Sequence, residues 1–221
     1  MTERRTFWTL AIAAASIMTV TMGIRQSLGL FVSPLNTATG LGIVTVSFAL
    51  AIGQFAWGAA QPVFGALADR LGATRIIALG AVMMCCGLAV TPFMGSGAGL
   101  AFFLGVLFAA GSGGGSFSIL FGAAAQRLPP ERRALASGFI NAGGSFGQFL
   151  FAPITQGLIT GVGWMAAMWT LAATSLCTIL MALPLRSPKG RASTHMEAID
   201  PAMTLGRQLR LAFRDPSYLC L

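Results

Sequence analysis

Charged residues are scarce in this chain. Only 9% of its 221 residues are Asp, Glu, Lys or Arg, whereas a soluble domain usually carries about 25%. The hydrophobic residues, 55% of the total, lie in blocks of about twenty or more, the length that a helix needs to cross a bilayer. This composition, with a mean hydropathy of +0.77, excludes an ordinary soluble domain. It predicts an all-α membrane protein with several transmembrane helices.

Residues for metal binding or acid–base chemistry are equally few. His195 is the single histidine and lies in a polar segment, where we expect it to be solvated. Cys85, Cys86, Cys177 and Cys220 show no metal-ligand spacing, and the first three are expected to be small buried residues. No carboxylate lies inside an apolar block. The sequence therefore predicts no metal site, no cofactor and no enzymatic activity.

The net charge of +8 does not indicate a nucleic-acid partner, because the basic residues do not gather on one soluble surface. They separate the apolar blocks instead, as they do in the loops of membrane proteins. We therefore expect the lipid bilayer, and not nucleic acid, as the partner. The blocks predict six transmembrane helices, the first ending near residue 35 and the others spanning about 42–68, 76–93, 100–128, 134–159 and 164–185.

Basic residues are confined almost entirely to one set of loops. They precede helix 1 and lie after helices 2, 4 and 6, whereas the loops near 36–40, 95–99 and 160–163 carry no charge. Loops rich in Lys and Arg remain in the cytoplasm. We therefore predict a multi-pass protein of the cell inner membrane, with both ends of this chain cytoplasmic.

The predicted six-helix unit is residues 1–186, and the chain changes character beyond it. Residues 187–215 are polar and predict a cytoplasmic linker. Within it, 205–213 is basic and amphipathic, so this piece either lies on the inner leaflet or flanks a further span. Residues 216–221 indicate the start of a seventh helix, truncated at the end of the chain.

Glycine and proline mark two further places in the chain. The run from Gly111 to Ser116 lacks the Gly-Lys-Ser/Thr ending of a phosphate-binding loop, so it predicts close packing of helix 4. Pro129 and Pro130 are expected to break the chain between helices 4 and 5, because neither fits a helix interior cheaply.

The loop between helices 2 and 3 carries the most specific motif. Gly65 and Gly72 are expected to bracket a tight turn, Asp69 and Arg70 mark the exit from hydrocarbon, and Arg75 follows. This G-x-L-A-D-R-x-G-x-x-R pattern resembles the signature loop of major facilitator superfamily transporters. The resemblance implies the N-terminal six-helix half of that fold, with a missing C-terminal six-helix half as its partner. It also implies that the motif acts as a gate and that Asp69 latches the cytoplasmic side.

Three spans make an odd-numbered unit, so two such units in tandem must be inverted relative to each other. The resemblance therefore implies a 3+3 inverted repeat and transport by alternating access between two halves.

Arg25 lies well inside predicted helix 1. An arginine at the centre of a membrane costs about 2.5–3.5 kcal/mol on insertion scales, so it either faces a wet cavity and binds an anion or snorkels to the interface. The surrounding string from Gly23 to Phe31 resembles bacterial monocarboxylate porters and oxalate–formate antiporters. In monocarboxylate porters a helix 1 lysine at the matching place handles the substrate carboxylate, so the resemblance implies this role for Arg25. The chain lacks the acidic-glycine-tryptophan motif of the animal proteins.

Polar stripes run along predicted helices 2 and 5. Such stripes either line a translocation path or join membrane helices to one another. The helix 2 stripe is Ser47, Gln54, Gly58, Gln61, Gly65 and Asp69, and the helix 5 stripe is Asn141, Ser145, Gln148 and Thr155. The predicted substrate-binding residues are Arg25, Gln26, Gln54, Asn141 and Gln148.

The sequence thus predicts a secondary active transporter for a small organic anion, a mono- or dicarboxylate, with protons as a candidate coupling ion. The alternative is a truncated membrane protein that does not transport and acts as an assembly or regulatory partner. A membrane-embedded enzyme is disfavoured by the missing catalytic groups.

Overall fold

The computed structural model describes residues 3–186, and every regular element within this range is helical. The predicted linker at 187–215 and the predicted helix start at 216–221 lie outside it, as do His195 and Cys220. The α-helices are α1 Glu3–Ser27, α2 Val32–Thr39, α3 Ile43–Leu71, α4 Ala73–Val90, α5 Gly97–Leu100, α6 Ala109–Gly113, α7 Phe117–Ala125, α8 Pro130–Val162 and α9 Trp164–Met181. The 3-10 turns are Leu28–Phe31, Thr91–Phe93 and Leu183–Leu185, and Ala101–Phe108 is a π-helix.

Five helical stretches of the described chain are long and apolar enough to cross a membrane. They correspond to predicted helices 1, 2, 3, 4 and 6, and each includes its short flanking turns. The stretches are Arg4–Thr39, Ile43–Leu71, Ala73–Phe93, Gly97–Ala125 and Trp164–Leu185.

The segment predicted as helix 5 is α8, a single helix of 33 residues. At 1.5 Å per residue it is about 50 Å long, which exceeds the thickness of the hydrocarbon core, about 30 Å. It is not among the five apolar stretches, because glycine and polar residues recur along it. α8 is therefore long enough to cross a membrane, but one of its sides carries the polar residues of the predicted helix 5 stripe.

The predicted break at Pro129 and Pro130 is present between α7 and α8. Pro129 caps α8 in an extended conformation and Pro130 is its first residue, where a proline is tolerated because its missing N–H would have no partner. Predicted helix 4, by contrast, is not one helix. It passes through the π-helix Ala101–Phe108 and then turns at Gly114, whose N–H bonds to the carbonyl of Gly111 at 3.0 Å.

Small residues bring α1 and α8 into close contact, as is usual between membrane helices. A Cβ at Gly147 of α8 would overlap the backbone of Thr19 on α1, and a Cβ at Gly143 would lie 2.7 Å from the carbonyl oxygen of Ala15. The Thr19 hydroxyl donates to the Gly143 carbonyl at 2.8 Å. This contact holds the predicted first and fifth helices side by side.

The glycine run is also a packing feature, which confirms that interpretation. A Cβ at Gly80 of α4 would overlap the Gly111 carbonyl and lie 3.1 Å from the Cα of Gly114. Two buried clusters fill the interior, one around Leu10 and Ile17 and the other around Ile24.

The cysteines only partly match their prediction. Cys85, Cys86 and Cys177 are free thiols, as expected. Cys86 and Cys177 are nevertheless exposed on the described chain, and Cys85 is partly buried. Their prediction as buried residues is therefore wrong, because an apolar membrane helix does not have to turn every apolar residue inward.

Candidate functional site

Arg25 lies in the last turn of α1, within the membrane-spanning stretch Arg4–Thr39, and is partly buried. One of its terminal nitrogens donates to Oε1 of Gln54 on α3. Its guanidinium carbon lies 3.8 Å from the centre of the Trp57 ring, a cation–π contact. Gln54 and Trp57 are three residues apart and so share one face of α3. Two neutral side chains thus hold the Arg25 charge.

The acidic residues of residues 3–186 lie far from Arg25 along their helices. Glu3 is the first residue of α1, Glu131 is in the first turn of α8, and Asp69 is near the end of α3. Asp69 follows Gln54 by fifteen residues, or about 22 Å along the helix. A carboxylate at that distance compensates a buried charge poorly.

Trp57 has a second property of interest. Its Nε1 atom is buried, and no residue of the described chain accepts a hydrogen bond from it. A buried donor without an acceptor costs about 1–3 kcal/mol, so such groups are few in native proteins. The site therefore combines a guanidinium with the ring of a tryptophan whose N–H has no acceptor among the described residues.

The other predicted substrate-binding residues are placed differently. Gln26 is exposed at the position after Arg25, and Asn141 and Gln148 are exposed on α8. Among the described residues, Gln54 alone accepts a hydrogen bond from the Arg25 side chain. The structure therefore brings together Arg25 and Gln54, whereas Gln26, Asn141 and Gln148 remain predictions. Thr155, at the end of the α8 stripe, is buried with a hydroxyl oxygen that no described residue bonds.

The predicted gating motif forms the connection between α3 and α4. Gly72 alone separates the two helices, with φ of 92°, a value that favours glycine because it has no Cβ. Its carbonyl accepts a hydrogen bond from the Arg75 N–H at 3.2 Å. Asp69, Arg70 and Arg75 are exposed around this turn.

Gly65 does not bracket the turn, contrary to prediction, because it lies inside α3. A Cβ there would meet no atom of the described chain within 4 Å. The tight geometry of the turn therefore depends on Gly72.

Sequence reasoning missed Trp57. Its spacing of three residues from Gln54 was a usable signal, because this spacing places an aromatic ring beside the polar stripe of the same helix. An aromatic residue in an apolar membrane block is otherwise unremarkable, and nothing in the sequence indicates that α1 brings Arg25 to this ring.

Comparison with known proteins agrees with the architecture. The family profile described as Major Facilitator Superfamily matches residues 8–221. An oxalate:formate antiporter of Oxalobacter formigenes is 28% identical over 209 residues, which cover 92% of this chain and 48% of that protein.

Two mammalian proteins are also similar. Monocarboxylate transporter 11 of Mus musculus is 31% identical over 172 residues, 76% of this chain and 37% of that protein. The Homo sapiens protein of the same name is 31% identical over 188 residues, 82% of this chain and 39% of that protein. The chain thus spans less than half the length of these relatives. With a family match along nearly its entire length, the chain belongs to the major facilitator superfamily, a family of membrane transporters.

Proposed function

We propose that this chain is the six-helix half of a secondary active transporter that moves a small organic anion by alternating access. The observation that supports this proposal is the Arg25 site, where a cation within a membrane span rests on a neutral amide and an aromatic ring. Arg25 binds the substrate carboxylate, and Gln54 occupies its guanidinium when substrate is absent.

The energetics favour this exchange of partners. Hydrogen bonds from a guanidinium to a carboxylate are roughly twice as strong as bonds between neutral groups, and the two oxygens match the guanidinium fork. An arriving carboxylate also neutralises a charge whose insertion costs about 2.5–3.5 kcal/mol. Trp57 Nε1, buried and unsatisfied, supplies a further donor beside the same anion.

The relatives support the class of substrate. One is named an oxalate:formate antiporter and two are named monocarboxylate transporters, so a mono- or dicarboxylate is the proposed cargo. The acidic residues of the described range lie at helix ends. A carboxylate that carries a coupling proton within the membrane would therefore come from the other half.

In this proposal α8 is the fifth of six spans, and α1–α4 and the helices from α5 to α9 form the two inverted three-span units. The missing C-terminal half closes the substrate site against Arg25. Asp69 at the cytoplasmic turn latches that half in one state, with its carboxylate at the N-terminus of a partner helix.

The proposed orientation in the inner membrane places both ends of the chain in the cytoplasm. A cysteine at Gly161, an exposed position at the end of α8, should react with an impermeant thiol reagent added outside cells. Gln126 is exposed and directly follows the membrane-spanning stretch Gly97–Ala125, on the proposed cytoplasmic side. A cysteine there should react only after the membrane is opened. The reverse pattern would overturn the orientation.

Uptake of radiolabelled oxalate, formate or lactate by the complete protein in proteoliposomes tests the function. We expect saturable uptake of at least one, and its loss in Arg25→Ala. The matched control is Arg186→Ala, because Arg186 is an exposed arginine beyond the last turn of the described chain. Equal uptake by the Arg25→Ala variant would refute the role of Arg25. Absence of uptake in the wild type would favour the non-transporting alternative.

A further inference from the structure

A second basic site lies on another face of α1. A groove of about 620 Å³ runs between the first half of α1 and the end of α9. Arg4 and Arg5 lie at one end of it, Ile12 and Ala13 line it along α1, and Met181 contributes from α9.

This groove is separate from the Arg25 site. Ser16, its innermost residue on α1, precedes Arg25 by nine residues and so lies about 180° away around the helix at 100° per residue. Arg5 precedes Arg25 by twenty residues and lies about 160° away by the same measure. Arg25 faces α3, whereas the groove opens on the opposite side of α1.

The dimensions of the groove match one leaflet of a bilayer. From Arg5 to Ser16 is eleven residues, or about 16 Å along the helix, which is about half of a 30 Å hydrocarbon core. Trp8 and Ile12, which both line the groove, are 41% and 52% exposed. The charge of Arg4 and Arg5 is therefore at the membrane surface, and the apolar part of the groove extends into the hydrocarbon. Trp8 lies at the depth where indole rings concentrate in membrane proteins.

Several contacts are made by residues in and beside this groove. Arg127 donates to the carbonyl of Pro184, a groove residue, at 2.7 Å. Arg132 lies 5.7 Å from the centre of the Phe7 ring, and the Trp8 ring packs edge-on against Phe139 of α8 at 5.5 Å. Arg4 and Arg5 remain exposed at the mouth.

We propose that this groove binds an anionic membrane phospholipid, with its phosphate on Arg4 and Arg5 and the upper part of an acyl chain along Ile12, Ala13 and Met181. Two guanidinium groups suit a phosphate because they can each bind it bidentately. A free phosphate ion would use the mouth only, and the apolar length of the groove matches an acyl chain instead. The proposal needs α1 to cross the membrane and does not depend on the transported substrate.

The position of Trp8 allows a direct test. The purified protein is reconstituted in phosphatidylcholine bilayers that contain the same mole fraction of brominated phosphatidylglycerol or brominated phosphatidylcholine, since bromine quenches a nearby indole. Subtracting the signal of Trp8→Phe isolates Trp8 from the other tryptophans. We expect brominated phosphatidylglycerol to quench Trp8 at least about threefold more strongly, in line with the attraction of basic residues to anionic lipid.

The variant Arg4→Gln/Arg5→Gln should lose this preference, whereas Arg70→Gln/Arg75→Gln, with the same change in net charge at the α3–α4 turn, should keep it. Inorganic phosphate added to the solution should not release the bound lipid. Equal quenching by the two lipids in the wild type would overturn the proposal, and so would an absence of quenching by both, which would mean that protein covers the groove. Displacement by phosphate alone would show an ion site instead of a lipid site.

Discussion

The most apolar 18-residue parts of the first two membrane-spanning stretches are nearly equal in mean hydropathy, 1.7 within Arg4–Thr39 and 1.6 within Ile43–Leu71, but the protein surrounds them differently. In its most apolar part, 72% of the first stretch is buried, compared with 17% of the second. Ile17 of α1 is fully buried, whereas Phe55 of α3 is 80% exposed. In a bilayer, hydropathy therefore predicts that a helix crosses the membrane but not which helix lies at the centre of the protein.

The two helices differ in which of their faces are covered by other helices. α1 meets α8 through glycines, which let the backbones approach closely, and both hydrophobic clusters include residues of α1. α3 presents large apolar residues outward, among them Val44, Phe48 and Phe55. Its polar positions Gln54 and Asp69 are exposed as well. This surface is available to lipid, to a second half or to a substrate cavity.

The largest expected effect is a contrast in stability between the two helices. Ile17→Ala should lower the free energy of unfolding by about 2–5 kcal/mol, because it leaves a cavity in a packed region. Phe55→Ala should change it by less than about 0.5 kcal/mol, as exposed substitutions usually do. Thermal denaturation in detergent measures both. A comparable loss for the two variants would mean that protein covers α3 as fully as α1.

The α1–α8 contact should tolerate no added methyl group at its closest point. Gly147→Ala would place a Cβ against the Thr19 backbone, and overpacking of this kind costs about 1–3 kcal/mol. Gly157→Ala in the same helix is the matched control, since a Cβ there meets no described atom within 4 Å. If the two variants melt at the same temperature, close packing does not explain the burial of α1.

The exposed end of α3 should matter for activity rather than for folding. Asp69→Asn should reduce carboxylate uptake by the complete protein by about five- to tenfold, within the usual range of coupling between conformational states. Expression and melting temperature should stay near wild type. Glu131→Gln, another exposed carboxylate near a helix end, should transport normally. Wild-type uptake by Asp69→Asn would leave the motif with a structural role only.

The smallest effect is expected at Trp57, where α3 contacts Arg25 of α1. Trp57→Phe keeps a ring under Arg25 but removes the buried N–H donor that no described residue satisfies. The cation–π contact, worth about 0.5–1 kcal/mol in all, weakens only in part, while the removed donor no longer costs its desolvation, so the melting temperature should change little. Carboxylate affinity should fall severalfold in binding titrations. Tighter carboxylate binding would contradict a role for Nε1 in anion recognition.

Sequence predicted the elements that depend on local properties. The apolar blocks predicted the five stretches confirmed as candidate spans, and Gly72 was predicted at a tight turn, where its φ of 92° favours glycine. The interruption of helix 4 at Gly114 was not predictable, because glycines in an apolar block are compatible with a close-packed helix and with a turn. The break at Pro129 and Pro130 was predictable, because a proline fits the first turn of a helix but not its interior.

The candidate site was predictable only in part, for a different reason. Arg25 is conspicuous as a cation within an apolar block, and Gln54 belongs to a recognisable stripe. That the two side chains meet depends on how α1 packs against α3, which local sequence does not encode. The same limit explains why Trp57 was missed, since its contact with Arg25 exists only after the helices have assembled.

The most direct test of the Arg25 site is substrate-induced thermal stabilisation of the complete purified protein. Oxalate, formate or lactate should raise the melting temperature of the wild type. Arg25→Ala should lose this shift, and Arg25→Lys should keep part of it, because the charge remains and the bidentate fork is lost. Equal stabilisation of wild type and Arg25→Ala by the same carboxylate would contradict the account and show that Arg25 only extends toward the membrane surface.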